Sequence, residues 1–362
     1  MRILIVKTSS LGDVIHTLPA LTDAVNAVPG LTADWVVEES FAEVPAWHPA
    51  VAEVIPVAIR RWRKNWMRSL RGCEISHFRR MLKARRYDAV IDAQGLMKSA
   101  LISWQAHGPR NGLDKNSIRE PLSSRFYQHA HEVSKAEHAV QRVRQLFAKS
   151  LGYHYDPGQI DYGLALPGTE PSSSSRPQLI FLHGTTWASK HWPEPYWREL
   201  MQLAVSAGYQ VCLPWGDLQE QERAMRLAHG IEHASVLEKL SLTSLLGRLQ
   251  QSVGVVAVDT GLGHLAAALG LPTVSLYGAT NPALSGTFGH NQLQLKSDLA
   301  CSPCLSRACQ YRGQAMRDQT RDRQDFIVEP PCYRSMPPSE VMGHLTRMIE
   351  TRKAPKVPEA IL

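Results

Sequence analysis

Two runs of one alternation dominate the sequence: short β-branched segments, each followed by residues at helical spacing, the pattern of parallel strands joined through covering helices. In the first run, strands are predicted over residues 3–7, 34–38, 54–57 and 89–92, and helices over 14–27, 73–86, 98–106 and 138–151. In the second, strands are predicted over 179–183, 211–214, 255–258 and 273–277, and helices over 196–206, 220–228, 242–250 and 263–269. Between them Ser172 to Ser175 sit in a proline-rich stretch of low apolar content, which reads as a linker. The expected fold is α/β, two doubly wound parallel-sheet domains of Rossmann-like type: residues 1–166, a linker over 167–177, residues 178–350, and a loose tail over 351–362. A helix over 339–349 is expected to pack back across the domains. Sheets of this kind bind ligands beyond the carboxyl ends of their strands, and the cleft between two such domains is the expected site.

A length of 362 residues suits two separate cores. Only Ile3 to Val6 are apolar before Lys7, too short for a signal-peptide core, and no run approaches the ~20 apolar residues of a membrane span. The chain is therefore expected in the cytoplasm.

Three strand ends carry polar chemistry. After the first strand come Thr8, Ser9, Ser10, Leu11, Gly12 and Asp13, which place small residues and one carboxylate at a helix start. Capping accounts for an Asp there as well as catalysis does. The strand at 179–183 runs into Gly184, Thr185 and Thr186, then Lys190-His191-Trp192-Pro193, a set of hydroxyls, amides and one ammonium suited to a phosphate. A solvated loop lysine is the plainer reading of Lys190. After residues 255–258 come Asp259, Thr260, Gly261, Gly263, His264 and Ala266, where glycines at a helix mouth let amides approach a diphosphate. Gly261, Gly263 and Ala266 also satisfy G-x-G-x-x-A, so an NAD(P)-binding oxidoreductase is an alternative. Its usual ribose-binding acid is missing between Leu265 and Gln294. His264 reads equally as a packed histidine.

Residues 60–86 hold eleven Lys or Arg against one acid, Glu74, although the net charge of the whole chain is only +7. Such a block meets an anionic surface or substrate, or is a solvated helix face. Neither a recognition helix nor an RNP-like motif accompanies it, so nucleic acid is not an expected partner. Cys301, Cys304 and Cys309 form C-x2-C-x4-C, with Cys332 beyond. Four thiolates suit a structural zinc, outside the strand-end loops, and unligated thiols are the alternative.

Lys7 to Val14 with His16 to Ala20 resembles the opening of the ADP-heptose lipopolysaccharide heptosyltransferases. Arg60 to Lys64, Ile91 to Leu96, Lys190 to Pro193, Pro214 to Gly216 and Asp259 to Gly261 are similar to later motifs of that family, in order along nearly the whole chain. The likeness is greatest to the branch that adds the first heptose to Kdo, with addition of a later heptose as the alternative.

The resemblance implies a GT-B fold and an inverting glycosyltransferase without a required cofactor, ADP-heptose being the donor substrate. It implies Asp13 as general base and Lys190 as a catalytic contact to the departing phosphate. Thr185, Thr186, Lys190, Glu220, Leu240, Asp259, Thr260, Gly261 and His264 would form the ADP-heptose pocket. Ser10, Gly12, Arg60, Arg63, Lys64, Lys98, Arg119 and His138 would face the Kdo-lipid A acceptor. Because the sequence contains no D-x-D, fixed cations and dipoles are expected to stabilise the leaving group in place of a metal. Trp62 and Trp66, interleaved with arginines, suit a headgroup region, so peripheral association with the cytoplasmic face of the inner membrane is expected.

Overall fold

The computed structural model describes residues 1–64, 73–165 and 176–353. Trp66, the expected linker through 175 and the expected tail from 354 lie outside the described residues. The chain forms two compact units, Met1–Pro167 and Gly168–Leu362.

In the first unit, β1 (Arg2–Val6), β2 (Thr32–Glu38), β3 (Val51–Val57), β4 (Ala89–Asp92), β5 (Arg110–Leu113) and β6 (His129–His131) form one sheet in the order β3-β2-β1-β4-β5-β6. Every neighbouring pair is parallel. Helices cover both faces, which is why Ile3, Leu4, Ile5 and Val6 run unbroken and all lie fully buried. The second unit repeats the plan with β7 (Gln178–Leu182), β8 (Gln210–Leu213), β9 (Ala234–Val236), β10 (Ser252–Val258), β11 (Thr273–Tyr277) and β12 (Gln292–Lys296), ordered β12-β11-β10-β7-β8-β9 and again parallel. Numbered within its own unit, each sheet has the order 3-2-1-4-5-6. Strand order therefore reverses between β1 and β4 in the first sheet and between β7 and β10 in the second, the place in each where a sheet of this kind generally accepts a ligand.

The structure departs from the sequence expectation in several places. The helix expected over 14–27 is two helices, Leu11–Ile15 and Leu18–Ala27. Pro19 occupies the first turn of the second; it lacks the N–H that would continue the first helix and suits a helix start. Strands β5, β6, β9 and β12 were not anticipated, because segments such as His129–His131 and Gln292–Lys296 carry little apolar signal and owe their conformation to the neighbouring strand. A small antiparallel hairpin, β13 (Arg317–Gln319) and β14 (Asp325–Ile327), follows. The last helix, Pro338–Lys353, buries Val341, Leu345 and Ile349 in the second unit's own core, in contact with β10. Among the described residues, no helix is long and apolar enough to cross a membrane.

Candidate active site

In the first unit the chain leaves β1 through Lys7 and Thr8 and enters the helix Leu11–Ile15 at Ser10. Asp13 sits in that helix's first turn, where its carboxylate accepts from Ser10 N at 2.8 Å and from Ser10 Oγ at 2.7 Å. It is also 3.6 Å from the buried Lys7 ammonium, with its side chain 43% exposed. Asp13 thus contributes to capping and still presents its carboxylate to solvent. Gly12 is buried behind it.

The loop after β4 clamps this segment. Gln94 Oε1 accepts from Thr8 N at 3.0 Å, Ser9 N at 2.9 Å and Thr8 Oγ1 at 3.3 Å. Gln94 is set in turn by Asp92, which accepts from Gln94 N, Gly95 N and Tyr127 Oη at 2.9, 3.0 and 2.7 Å. Burial pushes the Asp92 carboxyl above the usual carboxylate range, and the bonds it accepts oppose that shift. Neither Asp92 nor Gln94 was among the expected site residues. The loop motif Ile91 to Leu96 was the available signal, and only pairing across the sheet shows what it holds.

Lys98 lies near the same loop, its Nζ 3.3 Å from Ser9 Oγ. Burial lowers its pKa; Glu38 opposes this, and Arg60 and Arg63 lower it further. Arg60 and Arg63 are therefore electrostatic neighbours of Lys98. Lys64 ends the exposed helix Ile59–Lys64, and Arg119 is exposed in the loop after β5. His138 is nearly buried, caps the helix Ala139–Leu151 through Nδ1 and meets the His16 ring edge-on at 5.5 Å. Trp62 departs from its expected interfacial place: it packs edge-on against Phe78 at 5.8 Å and donates to Glu74 at 3.0 Å. Arg61 is likewise paired with Glu39 and Glu74. Among the described residues of the basic run, Arg61 and Arg85 are thus engaged in ion pairs within the first unit.

In the second unit, the loops after β7 and β10 bring Lys190 and Asp259 within 2.6 Å, with side chains only 15% and 11% exposed. Lys190 is therefore no freely solvated loop lysine. Its ammonium also stands 4.4 Å from the centre of the Trp187 ring. Thr185 Oγ1 donates to the Asp259 carbonyl at 3.0 Å, and Thr280 Oγ1 donates to the Asp259 carboxylate at 2.5 Å. Thr260 precedes the helix Gly261–Ala268, and His264 is buried within it. The first amides of that helix lie beside the Lys190–Asp259 pair, so a cation and a helix N-terminus share one strand-end region. Thr186 is exposed, and Leu240 is half-buried just before the helix Leu242–Gln250.

Glu220 is set against the β7 loop. Its Oε2 accepts from Gly216 N at 2.7 Å, and a Cβ on Gly184 would lie 2.4 Å from its Oε1, so glycine is required for that approach. The carboxylate thus sits between the loops that leave β7 and β8.

Cys301, Cys304, Cys309 and Cys332 all line one cavity of about 300 Å³ together with Ser189, Gly278 and Ala279. The segment they occupy lies outside the three polar strand-end loops and touches the one after β7 through Ser189. As the side chains stand, no group of three His, Cys, Asp or Glu among the described residues grips an ion.

The pattern of Glycosyltransferase family 9 (heptosyltransferase) matches residues 75–314. The chain is 53% identical over 351 residues to lipopolysaccharide heptosyltransferase 1 of Pseudomonas aeruginosa, covering 96% of this chain and 98% of that one. It is similar in structure to the E. coli heptosyltransferase WaaC with ADP, at a TM-score of 0.77 and 51% identity over 81% of this chain and 92% of that one. The structure of WaaC with ADP-2-deoxy-2-fluoro heptose gives a TM-score of 0.75 at 50% identity, over 82% and 93%. With two GT-B-type units, polar strand-end loops at both reversal points and identity of this extent, the chain belongs to glycosyltransferase family 9, the heptosyltransferases.

Proposed function

We propose that this enzyme transfers heptose from ADP-heptose to Kdo of a Kdo-lipid A acceptor in lipopolysaccharide inner-core synthesis, with inversion at the anomeric carbon. The observation that carries the donor half is the Lys190–Asp259 pair beside the N-terminus of the helix Gly261–Ala268. A departing ADP gathers charge on its β-phosphate, and a buried ammonium with oriented amides stabilises that charge at no cost of solvent reorganisation. On binding, the phosphate competes with Asp259 for Lys190 and frees the Asp259 carboxylate to accept from sugar hydroxyls. Glu220 takes the ribose, with Leu240 against the adenine. Membership of the glycosyltransferase family displaces the oxidoreductase reading of Gly261, Gly263 and Ala266.

On the acceptor side Asp13 is the general base. It takes the proton of the attacking hydroxyl as the heptose carbon becomes oxocarbenium-like, with the Lys7 ammonium 3.6 Å away. Lys98, Arg60, Arg63, Lys64 and Arg119 meet the acceptor's phosphates and carboxylates, and His16 and His138 border the same region. The enzyme works at the cytoplasmic face of the inner membrane as a peripheral protein, without a catalytic metal. Incubation with ADP-heptose and Kdo-lipid A should add the mass of one heptose. Activity confined to an acceptor that already carries heptose would instead establish the later-heptose reading.

A further inference from the structure

We propose that Cys301, Cys304, Cys309 and Cys332 form a thiolate site for one zinc-class ion, and that loading it braces the turn that carries Lys190. Residues 297–316, between β12 and β13, contain no helix or strand. Irregular segments of that length are uncommon in a compact domain unless something fixes them. Three of the four cysteines stand in this segment and the fourth, Cys332, opens the next turn, yet all four face one cavity. Cys332 is seated there because residue 278 is glycine: a Cβ at that position would lie 2.5 Å from its Sγ.

The donor set selects the ion. No carboxylate or histidine lines the cavity, so oxygen-seeking cations such as calcium and magnesium have no ligands there. Four sulfurs match a closed tetrahedral zinc site, and the spacings C-x2-C and C-x4-C lie within the range such sites use. Cys301, Cys304 and Cys309 are exposed thiols in a segment without helix or strand, and closing on an ion draws these side chains and their segment toward Cys332. Four thiols deprotonate and four S–metal bonds form; no electron is transferred.

The same segment holds the Lys190 turn. Ser189 N donates to the Arg307 carbonyl at 3.1 Å, and Ser189 Oγ donates to the Ser306 carbonyl. The Arg307 guanidinium stands 5.9 Å from the Trp187 ring centre, and Tyr333 Oη, next to Cys332, donates to the Lys190 carbonyl at 2.8 Å. An ion clamping residues 301–309 to Cys332 therefore fixes Ser189 on one side and the Lys190 carbonyl on the other. The consequence for donor binding rests on the proposed function; the site and its bracing do not.

The test uses the full chain, reduced and free of metal, titrated with cobalt(II) without substrate. A thiolate-to-cobalt charge-transfer band and tetrahedral d–d bands should grow and saturate at one equivalent. Cys332→Ser and the exposed-site variant Cys304→Ala should each weaken the charge-transfer band and the affinity for cobalt, and the double variant should lose the band, all keeping the far-ultraviolet dichroism of the parent. Cys73→Ser, exposed and outside the cluster, should keep it. Amide hydrogen exchange at Ser189 should slow on loading. Absence of the band from the reduced parent overturns the site, and a full cobalt spectrum with unchanged Ser189 exchange overturns the bracing. Neither readout involves ADP-heptose, so failure here is distinct from failure of the transfer reaction.

Discussion

The ammonium of Lys190 lies 2.6 Å from the carboxylate of Asp259, in a region where both side chains are largely withdrawn from water. Each charge is therefore compensated mainly by the other. Removing one partner of a buried pair leaves the other charge stranded, at a typical cost of about 3 kcal/mol. Lys190→Met should accordingly lower both the stability of the second unit and its affinity for ADP. Removing Asp259 as well, in Lys190→Met with Asp259→Leu, should restore most of the stability and none of the ADP affinity. Denaturant unfolding and calorimetric ADP titration separate the two effects; recovery of ADP binding in the double variant would show that Lys190 does not meet the phosphate.

Asp13 makes a different kind of test possible. Its carboxylate both caps a helix and is the proposed base, and asparagine keeps an acceptor for Ser10 while losing the basicity. Asp13→Asn should leave the melting temperature within a degree or two of the parent and lower kcat roughly 10²- to 10⁴-fold. Near-parental turnover, with chemistry rate-limiting, would falsify the assignment as base.

Much of this arrangement was legible in the sequence, and the boundary of legibility is physical. The buried central strands announce themselves, since Leu179 to Leu182 or Val255 to Val258 can be apolar throughout only if both faces are covered. Outer strands such as Gln292–Lys296 are polar and paired on one side, so their conformation is decided by β11 and not by their own composition. Residues carried by a single motif, such as Asp13 and Lys190, could be picked out by position at a strand end. Residues that act across the sheet could not: Gln94 is 86 positions from Thr8, and Thr280 meets Asp259 only after another helix and strand have intervened. Trp62 shows the converse error, a composition suited to a membrane surface whose ring is occupied by Phe78 and Glu74.

The basic group tests the acceptor side. Arg60 and Arg63 both act on the charge of Lys98, and Lys64 is exposed at the end of the same helix as the two arginines. Replacing Arg60, Arg63 and Lys64 by glutamine should raise the acceptor KM by about tenfold or more, with a weaker dependence on salt, and leave the ADP-heptose KM unchanged. The same variant should bind anionic vesicles less tightly. Equal vesicle binding by parent and variant would remove the membrane role of these residues.

The first unit should lose stability in mild acid through His48. This ring is buried, its Nδ1 accepts from Ala50 N at 3.2 Å, and its Nε2 lies 3.1 Å from Thr22 Oγ1. Burial lowers its pKa to about 4, opposed by Asp161, whereas in the unfolded chain it titrates near the ordinary value of 6.5. The unfolded chain thus takes up the proton first. The contribution is complete above about pH 6.5 and is lost as pH falls from there toward 4, by roughly 1.4 kcal/mol per pH unit for one proton. Unfolding followed between pH 7.5 and 5 should show this slope, and His48→Gln should flatten it. An equal slope in the variant would assign the acid sensitivity to other groups; in the second unit the buried His183 and the half-buried His191, whose pKa values are also lowered to about 4, should act in the same sense.

Gln94 should prove to be a positioning residue for Asp13. Its one carbonyl oxygen takes the N–H groups of Thr8 and Ser9 and the Thr8 hydroxyl, fixing the backbone that enters the Asp13 helix, and Asp92 fixes Gln94 from behind. Gln94→Leu keeps the approximate volume and removes the acceptor, stranding two amides at roughly 1 to 3 kcal/mol each where they are cut off from water. Gln94→Glu keeps an acceptor at the same reach. If Gln94 acts by holding the segment, the leucine variant should lose at least tenfold in kcat with little change in ADP affinity, and the glutamate variant should recover most of it. A purely structural role predicts another result: both variants would lose stability in proportion to the bonds broken, and kcat per folded molecule would stay at the parental value. Turnover normalised to the folded fraction, measured beside ADP affinity, distinguishes the two, and an unchanged normalised kcat in Gln94→Leu would show that the geometry around Asp13 does not depend on this clamp.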